Sequence, residues 1–184
     1  PILNDQQADD PEGMWGHSNR GPTADGRTKP DIVSPGSAIV SVKSAYKDGN
    51  FDLNDYYSVK SGTSMATPIT AGTVALLIEY LNNHGYDCNL ANSPSSNNCP
   101  DSALIKGILS ASAHDLEGQY FSGGDGENGA VEKSPNPHEG WGRVDLERAV
   151  GSGFTEGIDI ATDDSHSFKL SVPDSGIDSL RVVL

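Results

Sequence analysis

The stretch from Gly62 to Asn83 constrains this chain more than any other. Small and apolar residues crowd it, among them Ala66, Ala71, Val74, Ala75, Leu77 and Leu81. In the first half they run almost all the way round a helical wheel. That pattern predicts a helix over Thr63–Asn83 packed on several sides rather than along one amphipathic face. Pro68 falls in the early turns, where a missing amide donor costs least. His84-Gly85 supplies a stop.

Shorter signals flank this helix. Residues 37–42 read as a strand after the Pro35-Gly36 turn, and 56–59 as a second. A helix is expected from about Asp101 to Ala113 with Leu104, Ile105, Ile108 and Leu109 inward, and a short one over 144–150. Residues 1–18, 44–55 and 115–140 read as polar loops. Composition shifts at Gly151-Ser152-Gly153. Beyond it, 158–160, 167–172 and 180–184 alternate at period two, like the opening strands of an all-β module. The last ends on Val182, Val183 and Leu184 with no partner strand in view. The chain therefore divides into 1–150 and an incomplete 151–184.

Of 184 residues, 26 are Asp or Glu and 12 are Lys or Arg, a net charge of −14. Nucleic acid and anionic membrane surfaces need clustered Lys and Arg, so neither is expected as a partner. A hydrophobic content of 35% is still enough for a core. No unbroken apolar run reaches the roughly 18 residues of a membrane span. The chain opens Pro1-Ile2-Leu3-Asn4 with no basic leader, and reads as an internal piece of a longer product.

Cys88 and Cys99 are the two cysteines, set in an Asn- and Ser-rich stretch. No further Cys or His pair sits at zinc spacing. A disulfide closing this loop would stabilise by about 3 kcal/mol in the chain-entropy picture, and implies an oxidising, extracellular setting. The alternative is two free thiols in a surface loop.

Ser64 carries the chemistry. A serine at the start of a long buried helix places its hydroxyl and amide among unsatisfied donors, which suits a nucleophile whose own amide donates to an oxyanion. Gly62 lets a substrate backbone approach, and Ala66 lets the helix sit close to its neighbours. The competing reading is a Ser or Thr that only caps the helix.

Three segments decide between these readings: Ser18-Asn19-Arg20-Gly21-Pro22-Thr23, Asp25 to Gly36 with Lys29-Pro30-Asp31-Ile32-Val33, and Ser61-Gly62-Thr63-Ser64-Met65-Ala66-Thr67-Pro68. In order and spacing they resemble the subtilisin-like serine peptidases, the subtilases of peptidase family S8. Gly140-Trp141-Gly142-Arg143-Val144-Asp145 resembles the end of the catalytic domain in subtilases that continue into a β-sandwich. The resemblance implies an α/β fold: the C-terminal portion of a parallel-sheet domain with helices on both faces, then a truncated sandwich-like all-β segment. It implies Ser64 as acyl-forming nucleophile, supported by Gly62, Thr63, Met65, Ala66 and Pro68. Protein or peptide substrates follow, with no cofactor required for the chemistry.

The same resemblance shows what is missing. Subtilases run Asp, His, Ser along the chain. His17 is the one histidine before Ser64 and lacks the family's histidine context, so it is assigned to the surface. Asp5, Asp9, Asp10, Asp25 and Asp31 lack the acid's context, and Asn4 that of the oxyanion Asn. These groups are expected upstream of Pro1, in the missing N-terminal half of the domain. His84, His114, His138 and His166 follow Ser64 without a matching motif and read as ordinary polar or helix-end residues.

Asp48 to Asp55 places oxygen side chains at alternate positions, as at the start of a calcium loop, but Leu53 and Val59 stand where an EF-hand needs Gly and Glu. Gly123–Gly129 is similarly suggestive. Subtilases often bind structural calcium, so the metal is admitted without assigned ligands. Three functions are weighed: a secreted serine endopeptidase, inactive as this chain alone; a catalytically inactive binding or structural module; and a sedolisin-type acid peptidase. Sedolisins share Ser-Gly-Thr-Ser but not the other segments, and rank last.

Overall fold

The computed structural model describes residues 10–44, 52–86, 99–120 and 129–152, with Ser165 and Ser167. Strand β1 (Ile39–Val42) and strand β2 (Tyr57–Lys60) pair antiparallel, with Val40 opposite Val59. β1 starts two residues later than its apolar run because Ala38 turns the chain with φ 52°. β2 starts one residue late because the Asn54 side-chain oxygen accepts from the amides of Tyr56 and Tyr57, at 2.8 and 3.0 Å, and bends the chain there.

Helix α1 spans Thr63–Asn82 with Gly62 as N-cap. It closes as Asn83 keeps helical angles, the amides of His84 and Tyr86 both bond the Leu81 carbonyl, and Gly85 takes φ 107°. Pro68 lies beyond the first turn: as the sixth helical residue it forgoes the bond its amide would have given to the Ser64 carbonyl. Helix α2 (Ser102–Ser112) begins at Asp101, whose carboxylate accepts from Leu104 N at 2.6 Å. The short β3 (Gln119–Tyr120) and β4 (Gly129–Ala130) pair within the stretch expected to be loop; two-residue strands carry no readable period. Helix α3 (Leu146–Gly151) is capped by Asp145, which accepts from Arg148 N at 3.0 Å.

These helices and small sheets fit an α/β chain, but the expected parallel sheet does not form among the described residues. Both sheets are antiparallel pairs, and parallel pairing is confined to isolated bridges, Met14 to Tyr120 and Val33 to Arg143. The reason is the order of elements. β2 is followed by α1 and then α2, with no described strand between them, so among the described residues no β-α-β unit returns a strand beside its neighbour. Of the expected sandwich strands, 158–160 and 180–184 lie outside the described residues, as does most of 167–172.

The main core gathers Leu77 and Leu81 of α1, Ile105, Ile108 and Leu109 of α2, and Ala149 of α3, with Ile32 and Val144 against it. A smaller cluster joins Met14, Leu116 and Val131. α1 is therefore covered on one side only. The face with Ser64, Pro68, Gly72, Ala75, Leu76 and Glu79 stays exposed, so the packing on several sides read from its small residues is met on one side only among the described residues. No described element lies over it. The expectation about membranes also needs qualifying: averaged over eighteen residues, α1 reaches a mean hydropathy of 1.2, enough by length and composition to cross a membrane. The core helix of a globular domain passes the same test, because it is apolar all round for burial in protein.

Candidate active site

Ser64 is the second residue of α1, and its placement excludes the capping role. The N-cap is Gly62, at φ 150° and ψ 163°, a region essentially reserved for glycine, and no side chain caps the helix. The amides of Met65 and Ala66 both reach the Gly62 carbonyl, at 2.9 and 3.3 Å. Those of Thr63 and Ser64 have no protein partner among the described residues. The Ser64 side chain is exposed and likewise unbonded. Met65 and Ala66 are half-buried behind it, Thr63 and Pro68 exposed beside it. A hydroxyl and a free amide thus share the positive end of a 20-residue helix.

The sequence segments singled out above meet in space. Gly62 N donates to the Gly36 carbonyl at 2.8 Å, which joins the Lys29–Gly36 segment to the serine loop. Val33 N donates to Gly142 O at 3.0 Å and Val144 N to Val33 O at 2.9 Å, which joins it to Gly140–Asp145. His114 closes the other side, exchanging both backbone bonds with Arg143. Gly140 sits at φ 65° where a Cβ would run into the carbonyl oxygens of Pro30 and Asp31. The glycines of this motif let three chain segments cross at backbone distance.

A buried polar network that the sequence did not announce supports this crossing. Glu139 is fully buried; its carboxylate accepts from Leu116 N at 3.0 Å and Asn136 Nδ2 at 2.8 Å. Burial pushes its pKa up, against the pull of the Leu116 and Asn136 donors, and the adjacent Asp115 carboxyl pushes it further up. Asn-Pro-His-Glu-Gly reads as plain loop chemistry, and the one available sign was the motif immediately after it. Elsewhere burial opposes ionisation of Glu12, but the His114 hydrogen bond and the charges of His114 and Arg143 prevail and its pKa is lowered. Asp31 is held low in the same way, by Lys29 and by Lys106 at 3.0 Å.

The described histidines are engaged away from Ser64. His17 is exposed and packs its ring 4.7 Å from Trp15. His84 bonds the Tyr80 carbonyl at the end of α1, His114 lies 3.0 Å from a Glu12 oxygen, and His138 stacks on Tyr120. His166 lies outside the described residues. In the acidic loop, Asp52 pairs with Lys43 at 2.7 Å and Asn54 holds the turn before β2; Asp48 lies outside the described residues, as does 123–128. Among the described residues no group of three His, Cys, Asp or Glu could hold a metal ion. Cys88 also lies outside them; Cys99, just before α2, is not a free thiol.

The chain is similar to known proteins. The Subtilase family profile matches residues 7–142. The chain is 35% identical over 144 residues to the serine protease/ABC transporter B family protein tagB of Dictyostelium discoideum, covering 71% of this chain and 8% of that protein. It is 41% identical over 81 residues to the serine protease AprX of Bacillus subtilis, covering 41% of this chain and 18% of that protein. Among solved structures, the CspB protease of Clostridium perfringens matches 71% of this chain and 22% of that one at 27% identity and a TM-score of 0.47. The chain thus spans less than a quarter of each of these relatives. A family match across residues 7–142, over segments that converge on Ser64 and its supporting loops, leaves one conclusion: the chain belongs to the subtilase family.

Proposed function

We propose that Ser64 is the nucleophile of a subtilase-type serine endopeptidase and attacks the carbonyl carbon of a peptide bond. One observation carries the proposal: Ser64 stands at the helix start with an exposed, unbonded hydroxyl and an unpartnered amide, while the capping position belongs to Gly62. In the first half-reaction the hydroxyl oxygen bonds to the carbonyl carbon, its proton passes to a histidine, and the amine leaves with that proton. The Ser64 amide donates to the tetrahedral oxyanion, aided by the helix N-terminus. Water then releases the acyl group.

The histidine, its acid partner and the oxyanion Asn come from residues outside this chain, in the half of the domain that covers the exposed face of α1. Every described histidine being engaged elsewhere supports that division. The protein is secreted, and Cys88 pairs with Cys99; the lack of a free thiol at Cys99 supports the pairing.

A fluorophosphonate probe tests the proposal. It should label Ser64 in the protein extended upstream to include the remaining triad, and Ser64→Ala should abolish both labelling and peptide hydrolysis. In subtilisin, loss of the nucleophile or the base costs about 10⁶ in turnover. The 184-residue chain alone, without a base, should therefore label negligibly. Comparable labelling of both would place the base within this chain. A folded, unlabelled extended protein would instead make this an inactive binding module.

A further inference from the structure

The segment that delivers Ser64 is fastened to the turn before β1 at successive points. Ile39 pairs with Lys60 in the hairpin ladder. The Ser61 hydroxyl accepts from Ala38 N at 2.8 Å, across 23 positions of sequence. Gly62 N then donates to Gly36 O at 2.8 Å. The approach is close: a Cβ on Gly36 would sit 2.8 Å from the Gly62 carbonyl oxygen and 3.2 Å from the Ala66 Cβ.

Two backbone features make these bonds necessary. Gly62 has no Cβ to restrict it, so hydrogen bonds rather than side-chain sterics set its backbone: its carbonyl is tied to Met65 and Ala66 in the first turn of the helix, and its amide to Gly36. Ala38, at φ 52°, is the one non-glycine with positive φ among the described residues. Such a conformation persists where surrounding structure over-determines it. What holds Ala38 is the Ser61 hydroxyl on its amide, between the Gly36 carbonyl bond and the β1–β2 ladder.

We infer that Ser61 is a positioning residue for the nucleophile: by holding Ala38 in its left-handed turn, its hydroxyl fixes the Gly36–Gly62 bond and so the placement of Ser64 against a bound peptide. Ser61 acts through Gly62 and touches no reacting atom. The inference rests on Ser64 being the nucleophile. Displacements of an ångström at a reacting group cost about 10²-fold. Loss of the hydroxyl therefore reduces acylation while leaving remote substrate binding in place.

The test uses the extended, triad-complete protein. Ser61→Ala should lower kcat and the rate of fluorophosphonate labelling together by about tenfold or more, with KM within about twofold. Ser61→Thr, which keeps the hydroxyl, should restore both rates. Ser61→Val, the isostere of that threonine without the hydroxyl, should not. In an Ala38→Gly background, where the left-handed turn needs no holding, Ser61→Ala should cost markedly less, a coupling that a general stability role would not produce. If Ser61→Ala fails to fold, the Thr and Val pair carries the comparison. Equal rates for Thr and Val, or purely additive effects with Ala38→Gly, overturn the positioning role while leaving the nucleophile in place. An unlabelled parent protein overturns both.

Discussion

At the scale of single residues, two positions make separate predictions. Glu139 is held protonated to higher pH in the folded chain than its ordinary value of 4.5, chiefly through burial. The folded state then binds more protons than the unfolded one. This contribution to stability is complete below about 4.5 and is lost as pH rises through the folded pKa. Glu139→Gln, which imitates the protonated group, should flatten the fall in Tm over that window in the triad-complete protein; an unchanged slope would place the titration elsewhere. Gly140 tests geometry rather than charge. With φ 65° and two carbonyl oxygens where a Cβ would go, Gly140→Ala should lower stability by roughly 2 kcal/mol or more in denaturant unfolding.

At the scale of elements, α2 depends on its cap and α1 on its C-terminal half. Asp101 satisfies the Leu104 amide, so Asp101→Ala should cost about 1 kcal/mol and Asp101→Asn much less. Leu77 is fully buried between α1 and its neighbours, and Leu77→Ala should cost about 2–5 kcal/mol in the same measurement. The contrast with Leu76, one position earlier and 52% exposed, locates the boundary of what this chain covers by itself.

The whole molecule shows the same boundary. The exposed face of α1, together with Val42 at 76% and Tyr56 at 74% exposure, leaves apolar surface that water must cover. The isolated 184-residue chain should therefore aggregate or behave as a molten state that binds hydrophobic dyes. A soluble monomer with one cooperative thermal transition would contradict this. Acid should also destabilise. Glu12 and Asp31 are held low by His114, Arg143, Lys29 and Lys106, so their contribution is present above the ordinary carboxylate values and is lost as pH falls through the folded ones.

The sequence by itself determined the local elements and the candidate nucleophile. α1, α2 and α3 were legible because small-residue crowding, i,i+3/i+4 spacing, the Asp start and the Gly stop act within a turn or two of the chain. Ser64 was legible because its motif is contiguous. Tertiary structure alone decided the rest. That Gly62 and not a serine caps α1, that Gly140 lets Val33 and Arg143 meet, and that Glu139 lies buried beneath them all depend on partners dozens of residues away. The two-residue strands and the left-handed Ala38 escaped the sequence for the same reason: contacts across the fold, not local preference, hold them. The small residues of α1 were legible in the sequence as a sign of close packing, but only the packed chain shows which face lies open.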